Sequence, residues 1–131
     1  MSRALIFLIL VVSLTACRPT YEDWSRDWNK VFQGYMTGDP QTAKAALLQE
    51  ETLIASHEAR GNRGVDFVAV RTVLYSQLCG ITAYMGQTNE ARLYYQKYLE
   101  VSPKKDMTFD EVIAADKKGD ELLKPKWREQ K

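Results

Sequence analysis

The chain has 131 residues, with 18 basic and 17 acidic side chains and a formal net charge of +1. That balance excludes the strongly basic face that nucleic-acid binding needs for counterion release. The length suits one small domain with a usable core. It carries two cysteines, Cys17 and Cys79, and a single histidine, His57.

The N-terminus sets Arg3 before an unbroken apolar run from Ala4 to Val12, followed by Leu14-Thr15-Ala16-Cys17. Nine apolar residues are too few to span a bilayer, which takes about 20. The arrangement fits a signal peptide ahead of a small-residue cleavage site. Leu14-Thr15-Ala16-Cys17 resembles the lipobox of bacterial lipoproteins. The resemblance implies a signal peptide over 1–16, cleavage before Cys17 and acylation of that cysteine. Residues 17–20 then form a short lipidated tether. Cys79 would have no disulfide partner, so we expect it in the core.

Thr20 is placed to cap a first helix, with Glu22 and Asp23 suiting the helix dipole in its first turn. Tyr21, Trp24, Trp28, Val31 and Tyr35 recur at spacings of three and four, an apolar helical stripe. Gly38 stops this helix, and Asp39-Pro40 starts a second that runs to about Ala59. Ala43, Ala46, Leu47, Leu53, Ile54 and His57 mark its inner side. Gly61-Asn62-Arg63-Gly64 breaks the chain. A third helix carries Phe67, Val70, Leu74, Leu78, Ile81 and Met85 at helical spacing and ends at Gly86. Thr88 caps a fourth, with Ala91, Tyr94, Tyr95, Tyr98 and Leu99, closed by Ser102-Pro103. Thr108-Phe109-Asp110-Glu111 has the capping-box pattern and opens a fifth helix to about Leu123. Pro125 ends it, and 124–131 reads as a flexible tail. No strand pattern occurs, so the expected fold is all-α over 21–123.

Gly38 and Gly86, Ala43 and Ala91, and Leu47 and Tyr95 stand 48 residues apart. With Trp28, Val31, Phe32 and Tyr35, and with Cys79, Gly80 and Pro103, they make a pattern similar to two tetratricopeptide repeats followed by a C-terminal capping helix. The period exceeds the family's value of about 34. Ser76 and Ala83 stand at the aromatic positions of the second copy, and Glu50 and Tyr98 where a small residue is usual. The resemblance implies a protein-binding groove lined by the first helix of each repeat. Its positions here are Asn29, Gln33, Met36, Gln77 and Tyr84, with Arg26, Leu74 and Ile81 beside them.

No residue constellation points to catalysis, a metal or a cofactor. Glu50 and His57 share a helix face two turns apart and are too few for a zinc site. No phosphate-cradling loop or nucleophile elbow is present. The expected function is a membrane-anchored envelope lipoprotein that binds another protein, an adaptor or pilotin-like assembly factor. Its partners would be a bilayer, through acylated Cys17, and a protein of the envelope. Arg18 after the cysteine, in place of the aspartate that retains many enterobacterial lipoproteins in the inner membrane, favours the outer membrane. The alternatives are a structural lipoprotein without a client, or a small enzyme or metal binder built on Glu50 and His57.

Overall fold

The computed structural model describes residues 18–129. They form α1 (Tyr21–Thr37), α2 (Pro40–Ala59), α3 (Phe67–Tyr84), α4 (Thr88–Val101), α5 (Phe109–Leu123) and a closing 3₁₀ turn, Lys126–Glu129. No strand occurs among the described residues, and the fold is all-α. Cys17 and the apolar leader lie outside the described residues.

Local chemistry sets the helix ends. Thr20 caps α1 in a reciprocal box: its hydroxyl accepts the Asp23 N–H at 3.3 Å, and the Asp23 carboxylate accepts the Thr20 N–H at 2.8 Å. Asp39 caps α2 by accepting the Thr42 N–H at 2.7 Å, with Pro40 in the first turn. Asp66 caps α3 in the same way, through the Ala69 N–H. Thr88, the expected cap of α4, is instead its first helical residue. Gln87 holds the cap position and makes no side-chain bond there. At α5 half of the expected box forms: Thr108 accepts the Glu111 N–H, but the Glu111 carboxylate takes the Thr108 hydroxyl rather than its backbone N–H.

Helices α1 and α2 pack as one pair, and α3 and α4 as another, each joined by a short turn. Small residues permit the close approach. Ala43 and Ala91 are fully buried, and a Cβ added to Gly34 would stand 3.0 Å from the Ala46 Cβ. Helix α3 is the centre, packed against α2, α4 and α5, with Leu74, Leu78, Cys79 and Ile81 fully buried. The core position expected for Cys79 is therefore observed.

The described segment is packed at both of its ends. The segment read as a tether is fixed: Pro19 is buried, Arg18 lies over Gly61, and the Asn62 amide donates to the Thr20 carbonyl at 2.8 Å. Of the segment read as a flexible tail, 124–131, the described part is docked. Pro125 and Trp127 are buried, and the Trp127 indole meets Tyr35 and Tyr84 edge-on at 5.9 and 5.0 Å. Arg128 then bonds Asp116 at 2.8 Å and Asp120 at 2.5 Å, while the Tyr35 hydroxyl donates to Asp120 at 2.6 Å. The carboxy end thus ties α5 to α1. A lone tryptophan after a proline has no periodicity, so the pattern carried no trace of this. Helix α5 lies mainly against α3; it meets α4 through Phe109 against Tyr95, and in the loop before it Met107 accepts the Tyr95 and Tyr98 hydroxyls.

Candidate binding groove

An open groove of about 550 Å³ runs between α1 and α3, with the end of α5 at one side. Its α1 wall is Tyr21, Trp24, Ser25, Trp28 and Phe32. Its other wall is Val65 and Asp66 just before α3 and Ala69, Val70, Val73 and Gln77 on it, with Leu123 from α5 and Glu50 reaching in from α2. A second hollow of about 590 Å³ lies between α3 and α5, and the two share Asp66, Ala69, Val73, Gln77 and Leu123. Tyr21 and Val73 are each 56% exposed and Leu123 is 43% exposed. A contiguous apolar surface of this kind on a monomer marks a place of interaction.

The aromatic wall is rigidly held. Trp28 stacks on Phe32 with centroids 4.4 Å apart, and Phe32 continues to Tyr35 at 5.6 Å. Trp24 meets His57 and Phe67 edge-on. The Trp28 indole N–H donates to Glu50 Oε1 at 3.0 Å. Glu50 is only 5% exposed, and burial pushes its carboxyl up to about 7, with the Trp28 bond pulling the other way.

His57 belongs to a different structure. Its Nδ1 accepts from the Asn62 amide at 3.0 Å, so Nε2 carries the proton and donates to Asp27 at 2.9 Å. That bond is the main cause holding the Asp27 carboxyl below its ordinary value. Asn62 also takes the Gly64 N–H at 2.9 Å. Both ring nitrogens are engaged in holding α1, α2 and the loop after α2 together. No group of three His, Cys, Asp or Glu with metal-binding geometry occurs among the described residues. With its ring nitrogens on Asp27 and Asn62, His57 is turned to contacts other than Glu50, whose Oε1 takes the Trp28 N–H. Cys79, in the core, has its thiol pushed up to about 12 by burial.

The residues assigned to the groove from the repeat pattern scatter. Gln77 lines both hollows. Asn29 and Gln33 are exposed but stand one position beyond Trp28 and Phe32, which form the wall. Met36 is half-buried against the core, and Tyr84 packs on Trp127 at the far end of α3. Arg26 bonds Asp23, and Leu74 and Ile81 are fully buried. The core stripe read from sequence holds for Trp24, which is buried, and in part for Trp28; that both also line the groove, with Val73 and Leu123, was missed. The available signal was α3 itself, where Val68 and Val73 lie outside the core stripe and make the helix apolar on more than one side.

Among the described residues, no helix is long and apolar enough to cross a membrane. No family model, no curated protein and no solved structure matches the chain.

Proposed function

We propose that this chain is a lipid-anchored envelope lipoprotein that holds an apolar segment of a partner protein in the groove between α1 and α3, as an assembly or piloting factor. The observation that carries this reading is the groove: four aromatic rings of α1 across from two valines of α3, with Tyr21, Val73 and Leu123 left exposed at its rim. The pairing of α1 with α2 and of α3 with α4 agrees with a tetratricopeptide-like arrangement, in which first helices line the binding face and α5 closes the stack. The lipobox resemblance supplies the anchor. Cys17 directly precedes Arg18, which is fixed against the loop after α2, so an acyl anchor there would hold the domain at the bilayer without a stalk. Two or more chains hold such an anchor firmly, at about 0.8 kcal/mol for each buried CH₂.

Two measurements test the two halves. Cys17→Ser should move the protein from the membrane to the soluble fraction; full retention would remove the lipid anchor. Pull-down from detergent-solubilised membranes should recover a stoichiometric partner with the unsubstituted chain and lose it with Val73→Glu. No partner in either case would leave a structural lipoprotein as the better reading. Equal recovery in both would move the binding surface elsewhere.

A further inference from the structure

The groove contains a buried carboxyl group, Glu50, that has no cationic partner among the described residues. Glu50 is 95% hidden from solvent in the sense that only 5% of it is exposed, yet it lines the open groove. Its Oε1 takes the Trp28 N–H, and among the described residues no cation and no second donor reaches it. Burying an unpaired carboxylate is costly, and a glutamine would accept the same indole bond without a charge. An ionisable carboxyl in place of an amide is therefore unexplained by the packing of α1 on α2.

The surroundings describe what would explain it. The groove lining contains a second carboxylate, Asp66, and no Lys, Arg or His. Trp28 and Phe32 line the groove half-buried, and aromatic rings attract cations and also pack against methylene chains. We infer that Glu50 is the recognition carboxylate of the groove, pairing with the ammonium of a lysine on an apolar segment of the partner protein, whose stem lies against Trp28 and Phe32. An ammonium suits the site better than a guanidinium. Oε1 is already occupied by Trp28, so a point charge fits the remaining oxygen where a two-pronged fork would want both.

This inference rests on the groove being the docking surface, and the experiment separates the two. A photoreactive benzoylphenylalanine is placed at Val73 of the full-length protein in its own membranes, and the captured peptide is sequenced. We expect an apolar segment with a lysine. Glu50→Gln should lower capture about tenfold, substituting that lysine by methionine should lower it equally, and the two together should lower it no further. Glu50→Gln retains the acceptor for Trp28, so its helical circular dichroism and melt should show an intact fold. Undiminished capture by Glu50→Gln, or a captured segment without lysine, would overturn the inference while leaving the docking groove in place. Absence of any captured segment from the chain that retains Glu50 would remove the groove reading and this inference with it.

Discussion

Gly80→Ala and Gly119→Ala are the same chemical change in two helix interiors and should have opposite signs. Alanine is favoured over glycine in a helix by about 1 kcal/mol. At Gly119 an added Cβ meets nothing within 4 Å, so the variant should gain about 0.5–1 kcal/mol. At Gly80 the added Cβ would stand 1.9 Å from Asp116 Oδ2 and 2.8 Å from its Cγ, where real contacts essentially never fall below 3.0 Å. The Asp116 carboxylate must then retreat by about 1 Å, a displacement that breaks its 2.8 Å bond to Arg128. Losing a buried charged hydrogen bond costs about 1.5–3 kcal/mol, and the displaced backbone of α5 adds about 1–3 kcal/mol of overpacking. Against the gain in propensity, the net should be about 2–4 kcal/mol of destabilisation. Urea unfolding of both variants measures this. Because the cost acts through Asp116, most of it should vanish when Gly80→Ala is made in an Asp116→Ala background. A Gly80→Ala variant as stable as its parent would refute the close packing of α5 on α3.

Stability should fall as pH rises from about 5 to 8. The Glu50 carboxyl is raised from 4.5 to about 7, and burial, with the Asp120 carboxylate alongside, raises Asp116 from 3.8 to about 8 despite Arg128. The native state keeps these protons after the unfolded chain has released them, so unfolding is increasingly favoured across that window. Glu50 alone contributes about 3 kcal/mol of that fall, and Glu50→Gln should flatten the urea-midpoint profile correspondingly. A profile for Glu50→Gln parallel to that of its parent would contradict the burial of this charge. Trp127→Ala should cost about 3–5 kcal/mol, the value for a fully buried tryptophan rather than a tail residue, and should expose α5 to proteolysis. A melting temperature unchanged by Trp127→Ala would mean that the carboxy end is not docked.

The helices were legible because their signals are local. Asp39-Pro40 and the break at Gly61–Gly64 bound α2 where expected, and the Thr20 and Thr108 caps stand where their side chains can reach the first free N–H groups. What could not be read was everything that depends on which helix faces which. The stripe Tyr21, Trp24, Trp28 has the spacing of a core face, and on α1 alone nothing distinguishes a wall of an open groove from a buried seam. The site positions carried over from the repeat pattern were therefore displaced by one residue along α1. Long-range polar contacts were equally invisible: Asn62 bonds back to Thr20, and Tyr35 bonds forward to Asp120 across 85 positions of sequence. Arg128 and Trp127 sit in a charged, aperiodic segment whose composition suits a solvated tail.

These non-local contacts explain why the groove is open and yet fixed. Helix α1 is held at its start by Thr20, Asn62 and the His57–Asp27 bond, and at its end by Tyr35 against Asp120 and Trp127. Between those two clamps, the half-buried Trp28 and Phe32 line the groove above the buried Trp24. Buried polar clusters of this kind specify a geometry more than they add stability, since each charged group is desolvated to make them. A wall fixed in advance lets a partner bind without the cost of ordering it, because the aromatic side chains have already given up their rotamer freedom in folding. Thr20 belongs to the first clamp and Trp127 to the second, so residues that read as tether and tail take part in fixing α1 at both of its ends.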